Sequence, residues 1–165
     1  MTHISNKQGV ISSILDKLID DAPDNVHESV KARHQQLIEL YQSVRRDLEN
    51  LLNTRVSGLN WPPEWQELNI SLIAYGLSDF MSDSLMALPT QTEFCEKLAG
   101  IIQRFDPRFK SVQVKLLQAK DKADRTLRMR IEGLLYAEPV PEPIVFDSVL
   151  EPETNYFSVT ENSYT

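Results

Sequence analysis

The hydrophobic period of this chain changes at Pro107, and that change limits the folds open to it. Before Pro107, apolar residues recur every three or four positions: Leu37, Tyr41, Val44, Leu48 and Leu51 in one run, Phe94, Leu98, Ile101, Ile102 and Phe105 in another. Such spacing lines up one face of a helix. After Pro107 the period is two. Val112, Val114 and Leu116 alternate with Gln113 and Lys115, and Leu127, Met129 and Ile131 alternate with Arg128, Arg130 and Glu132. These read as half-buried strands. Helices first and strands last predict an α+β fold, with N-terminal helices packed on a small, largely antiparallel β-sheet formed by the C-terminal half. At roughly 100–200 residues per domain, the 165 residues hold one core.

Local signals divide the chain further. Residues 9–20 carry an apolar stripe (Val10, Ile14, Leu18, with Ile11, Leu15 and Ile19 beside it), and DDAPDN at 20–25 breaks it. Residues 1–24 are therefore an N-terminal amphipathic helix and linker, which needs a surface on its own domain or on a partner. Residues 25–165 are the main domain. The next helix runs from the low thirties to Asn53, which suits a left-handed C-terminal cap, and Arg45 and Glu49 can pair one turn apart. In the loop at 56–68, Trp61 and Trp65 are expected as buried anchors. Gly76 can supply a positive φ. Thr90 and Glu93 have capping-box spacing, and Pro107 ends that helix. The polar stretch AKDKADR joins two strands as a long hairpin. Strands at Ile144–Leu150 and Tyr156–Val159 follow the proline-punctuated EPVPEP.

The net charge of −7 lies wholly at one end: residues 131–165 contain seven acids and no lysine or arginine. Residues 104–130 carry nine basic and three acidic side chains, a local excess of six. Opposite segments of this kind can neutralise each other across one sheet, and an acidic chain is a poor nucleic-acid ligand. No apolar run approaches the ~20 residues that span a bilayer, so no membrane insertion is expected. The first residues lack a signal-peptide pattern, and a single cysteine forms no internal disulfide. The expected location is the cytoplasm.

Residues for chemistry are sparse. His3, His27 and His34 form no close ligand pair, and Cys95 has no companion, so no metal site is expected. No phosphate-binding loop, dinucleotide fingerprint or nucleophile elbow occurs. Cys95 sits beside Phe94 in a predicted helix as a structural thiol. No catalytic residue and no cofactor is expected.

The string SVRRDLENLLNTR at 43–55 is more specific than an amphipathic helix requires, and other motifs follow it: YGLSDF at 75–80, FDPRF at 105–109, LRMRIEGLLY at 127–136 and EPVPEPIVFDSVL at 138–150. In this order they closely resemble the E subunit of the type VI secretion baseplate, a family related to a wedge protein of contractile phage tails and historically labelled lysozyme-like. The resemblance covers about residues 43–159. It implies a non-enzymatic baseplate wedge component that joins the wedge core and nucleates the contractile sheath. Its implied partners are wedge subunits F and G, subunit K through the wedge, and sheath subunits, with the spike hub as a further candidate.

A Glu-Pro-Arg motif attaches such subunits to the wedge core. The matching residues are Asp106, Pro107 and Arg108, one methylene shorter at the acid. Arg108 is expected to offer its fork of donors to a partner; the alternative is a surface ion pair with Asp106. The remaining partner-binding candidates are Arg45, Arg46 and Arg55 on the helix, and Phe146, Asp147 and Val149 on the acidic C-terminal strands. Those strands are expected to form the edge that meets the sheath. Two alternative functions stand beside this one: a same-fold regulatory anti-adaptor that binds a response regulator, and a muramidase, carried only by the old label.

Overall fold

A computed structural model describes residues 15, 18, 33–56, 61–62, 64–77, 88–117, 126–137, 140–151, 154 and 156–161. Helix α1 spans Arg33–Asn53, two short 3₁₀ turns occupy Gln66–Ile70 and Leu72–Ala74, and helix α2 spans Leu88–Phe105. Four strands follow: β1 (Phe109–Leu117), β2 (Leu127–Leu135), β3 (Glu142–Glu151) and β4 (Tyr156–Glu161). They form one antiparallel sheet in the order β1-β2-β3-β4. The expected α+β fold is what forms. The linker at 20–25 and the hairpin tip AKDKADR lie outside the described residues.

Both helices cover one face of the sheet, α1 over β4 and α2 over β1. Alternation fixes which strand residues meet them. On β3, Ile144, Phe146, Ser148 and Leu150 point inward, and on β4 Phe157 and Val159 do so. They pack with Val44, Leu48 and Leu52 of α1, and with Phe94, Leu98 and Ile102 of α2. This accounts for the period change: the helices offer one stripe, the strands every second residue. Gly133 has a specific role in the packing. A Cβ there would run into the ring of Phe109, so the glycine lets that ring lie across the strand.

The opposite face of the sheet carries the charge pairing. Arg130 Nε donates to Asp147 Oδ1 at 2.8 Å, directly across from β2 to β3, and Lys115 Nζ meets Glu132 Oε2 at 2.6 Å on the diagonal. The basic segment and the acidic segment thus neutralise each other side by side, as their sequence separation suggested.

Several local expectations need correction. Helix α2 begins at Leu88, ahead of Thr90, so the capping-box reading fails and Pro89 lies in the first turn, where its missing N–H forfeits no helical bond. Asn53 is the last residue of α1 and caps it by side chain: its Nδ2 donates to the Glu49 carbonyl at 2.8 Å. Trp65 is no buried anchor; it is 59% exposed. Gly76 does take a positive φ, 114°, and a Cβ there would collide with the Thr54 carbonyl. That close approach lets Leu77 N–H bond Thr54 O at 2.8 Å and tie the 3₁₀ segment to the end of α1. Leu15 and Leu18 of the expected first helix are helical and exposed; the rest of that helix lies outside the described residues.

Candidate functional site

The corner between α2 and β1 is built from its sequence outward. Asp106 N–H makes the last helical bond, to Ile102 O at 2.9 Å, and Pro107 then forbids continuation. The Asp106 carboxylate folds forward and accepts the Arg108 backbone N–H at 3.1 Å, a local turn that short acidic side chains favour. Arg108 O accepts from Tyr136 N–H at 2.8 Å, which anchors the corner to the end of β2.

From this corner the Arg108 side chain reaches inward. Its Nε donates to Asp106 Oδ1 and its Nη2 to Asp106 Oδ2, both at 2.8 Å, a bidentate pair. Nη2 also donates to Asp47 Oδ2 at 2.7 Å, and Nη1 to Ser43 Oγ at 2.9 Å. Ser43 and Asp47 lie one turn apart on α1, so the arginine fastens that helix to the α2–β1 corner. The Arg108 side chain is 17% exposed and that of Asp106 8%. Burial opposes the guanidinium's charge, but the hydrogen bonds and charges of Asp106 and Asp47 outweigh it and push the Arg108 pKa up. Asp47 is shared: its Oδ1 meets Arg46 Nε at 3.4 Å. The chain Arg46–Asp47–Arg108–Asp106 is therefore neutral overall. Tyr75 packs edge-on against Phe105 beside this cluster, and burial, then Asp47 and Asp106, raise its pKa.

Arg108 does pair with Asp106, but in the interior rather than at the surface, and four of its five side-chain N–H groups are taken by its own chain. The other expected residues fall in different places. Arg46 belongs to the corner, with Pro107 exposed on its rim. Arg45 faces β4, where Nη1 donates to Val159 O at 3.5 Å, and it pairs with Glu49 at 3.7 Å as its spacing suggested. Arg55 is exposed just beyond α1 and bridges backbone to backbone with Leu77. The Phe146 side chain is sealed in the core and offers nothing to a partner. Asp147 and Val149 lie on the sheet face opposite the helices, Asp147 bound to Arg130.

The sheet edges differ from expectation too. β3 is interior, between β2 and β4. β4 is an edge, but α1 occupies it. Asn53 Oδ1 accepts Phe157 N–H at 2.8 Å, and Asn53 Nδ2 donates to Phe157 O at 2.8 Å, so one side-chain amide mimics a neighbouring strand. Sequence reading missed Ser43, Asp47 and Asn53 in these roles, although all three lie in the SVRRDLENLLNTR string. The four-residue spacing of Ser43 and Asp47 was a usable signal for a shared face.

The Phe157 bonds also orient the other edge. Its backbone groups face away from β3, and antiparallel pairs alternate between mutually bonded and mutually averted. Following the register through Leu150, Leu127 and Arg128 to Leu117 turns the backbone groups of Val112, Val114 and Leu116 outward. Among the described residues, one side chain bonds the β1 backbone: Gln103 Nε2 donates to Lys110 O at 3.4 Å.

Among the described residues no group of His, Cys, Asp and Glu could hold a metal ion, and no helix is long and apolar enough to cross a membrane. Burial raises the Cys95 pKa, as for an inert structural thiol. In comparison with known proteins, the family described as baseplate wedge protein gp25 matches residues 38–140. That span runs from α1 through β2 and stops before β3. No curated protein matches the chain.

Proposed function

Since this chain belongs to the baseplate wedge protein gp25 family, a family of phage-tail-like baseplate components, we propose that it is a wedge part of a type VI secretion baseplate that starts the contractile sheath. The observation that carries the sheath role is the inequality of the two sheet edges. An incoming strand needs a row of outward N–H and C=O groups. On β4 those of Phe157 are already used by Asn53. On β1 the groups of Val112, Val114 and Leu116 point outward. The sheath strand therefore adds to β1, not to the acidic C-terminal strands.

Attachment to wedge subunits F and G uses the rim of the corner, Pro107 and Arg46, with Arg108 holding that rim in shape from within. Truncation of residues 144–165 is no test of these roles, because it removes Phe146, Leu150, Phe157 and Val159 from the core.

The test uses two variants of the full chain with subunits F, G and the sheath co-expressed. Val112→Pro deletes one outward N–H on an edge strand, a position where proline is tolerated. It should keep capture by F and G while sheath assembly fails. Arg46→Glu should lose F and G. Normal sheath assembly on a folded Val112→Pro protein would refute the β1 assignment, and normal capture of Arg46→Glu would refute the corner's role.

A further inference from the structure

From Trp65 to Ala74 the backbone bonds within itself and four large apolar side chains face outward, whereas Tyr75 and Leu77 beyond it pack inward. Trp65 N–H bonds Pro62 O at 3.0 Å, Leu68 N–H bonds Trp65 O at 3.1 Å, Ser71 N–H bonds Leu68 O at 3.2 Å and Ala74 N–H bonds Ser71 O at 3.0 Å. The side chains add to this: Ser71 Oγ donates to Leu68 O at 2.7 Å, and Trp61 Nε1 to Asn69 Oδ1 at 3.2 Å. Chain of this kind is held in shape without a core. Both 3₁₀ turns lack a buried residue, and they pack against each other. What they present to solvent is apolar: Trp65 59%, Ile70 63%, Leu72 88% and Ile73 45% exposed, within nine residues of chain.

One exposed leucine needs no explanation, but four large apolar side chains on one ordered segment mark an interaction surface. Order lowers the cost of binding, because the loop need not be frozen when a partner arrives. Charge narrows the choice of partner. The segment from Trp61 to Leu77 contains Glu64 and Glu67 and no lysine or arginine. Both acids are exposed, and neither pairs with a cation among the described residues. An acidic rim repels anionic lipid, which disfavours a membrane and favours a protein.

We propose that the Trp65–Ile73 surface is a docking plate for an amphipathic helix of another protein, one whose leucine-type stripe is flanked by lysine or arginine. Trp65 and Leu72 are its apolar anchors, and Glu64 and Glu67 set the charge preference of its rim. The plate shares no residue with the β1 edge or the Arg108 corner, and the inference does not rest on the baseplate reading.

Two synthetic helical peptides with the same leucine stripe, one flanked by lysines and one by glutamates, serve as probes. Each is titrated into the full chain at low salt, with binding read by calorimetry and by the fluorescence of Trp61 and Trp65. The lysine peptide should bind at least about tenfold more tightly than the glutamate peptide. The chain's net charge of −7 would give some of that preference by itself, so the deciding arm is Leu72→Ser. That exposed substitution leaves the fold alone and should weaken the lysine peptide about tenfold or more. The double variant Glu64→Lys/Glu67→Lys should reverse the order of the two peptides. Equal binding of both peptides, no binding of either, or full binding by Leu72→Ser overturns the proposal. So does a concentration-dependent dimer abolished by Leu72→Ser, which would give the plate to a second copy. Displacement of the lysine peptide by a peptide of residues 7–20 would give it to this chain's own first helix, and also overturns the proposal.

Discussion

Two of the polar contacts that fasten helix α1 to the rest of the molecule work by different physics. Near its middle, Ser43 and Asp47 receive the Arg108 guanidinium; at its end, Asn53 receives the backbone of Phe157. The first fastening is charged and largely out of water. The second is neutral and matches group for group, one donor and one acceptor on each side. A charged fastening in the interior is costly to form and more costly to break by halves, since a lone buried carboxylate has no substitute for its partner. A neutral amide loses only what its hydrogen bonds contributed. The charged fastening therefore holds the two halves in register, while the neutral one closes a strand edge.

The largest effect should come from breaking the charged side. Arg108→Ala leaves Asp106 buried without its bidentate partner and takes one hydrogen bond from Ser43. Removing one member of a buried pair costs about 3–5 kcal/mol, and the partial solvation of Asp47, at 32% exposure, puts the expectation near the lower end. Urea unfolding should show that loss directly. Arg108→Lys should recover little, because an ammonium cannot serve Asp106, Asp47 and Ser43 from one fork. An unchanged unfolding midpoint for Arg108→Ala would return the residue to an external, partner-facing role.

The neutral side should break more gently but with a distinctive consequence. Asn53→Ala strands the N–H and C=O of Phe157, for a loss of about 1–3 kcal/mol. It also uncovers the β4 edge, which then resembles β1 in offering outward backbone groups. Folded Asn53→Ala protein should self-associate at concentrations where the wild type is monomeric, measured by sedimentation. If it stays monomeric, Asn53 stabilises the helix end without guarding the edge.

How much of this was legible from sequence follows from the same contrast. The helices, the strands and their inward faces were readable because burial imposes a period on neighbouring residues. Gly76 was readable because its positive φ is a local demand, and the Arg45–Glu49 pair because one helical turn separates its members. The two fastenings were not. Asn53 and Phe157 lie 104 positions apart, and Ser43 and Arg108 lie 65 apart, so topology alone brings them together. Arg108 was singled out, but as an outward fork, because an arginine after a proline gives no hint of which way it points. Trp65 misled for another reason. Tryptophan is buried by default, and the self-contained hydrogen bonding of its 3₁₀ turn removes the need.

Another polar contact of α1 responds to pH. Tyr41 Oη donates to Glu142 Oε1 at 3.3 Å, and burial, then the charge and hydrogen bond of Glu142 and the charge of Glu161, push the Tyr41 pKa up to about 12 from its ordinary 10.0. A folded-state pKa above the unfolded one gives stability that is complete below pH 10 and is lost as pH rises towards about 12. Melting temperature should therefore fall less steeply across that window in Tyr41→Phe than in the wild type. Arg108 keeps its charge through the same window, so the charged fastening should hold while this contact is lost. Parallel curves for Tyr41→Phe and wild type would show that Tyr41 ionises without opposing the fold.

The smallest effect, and one of opposite sign, is expected at Ser148. Its side chain points from β3 into the core, and its hydroxyl is buried with no hydrogen-bond partner among the described residues. Ser43, by contrast, is a buried serine on α1 that accepts from Arg108. Two buried serines thus test what a partner is worth. Removing the hydroxyl of Ser43 takes an acceptor from a buried cation, whereas removing that of Ser148 takes away only a group that lost its water for nothing. Ser148→Ala deletes one atom, too small a void to offset that relief, and should be neutral to stabilising by up to about 1 kcal/mol. Ser43→Ala should destabilise by a comparable amount or more, since hydrogen bonds to charged groups contribute about 1.5–3 kcal/mol. Measured together by chemical unfolding, the two variants should shift the midpoint in opposite directions. A clear loss of stability in Ser148→Ala would mean that this hydroxyl has a partner in solution, for which an internal water is the natural candidate.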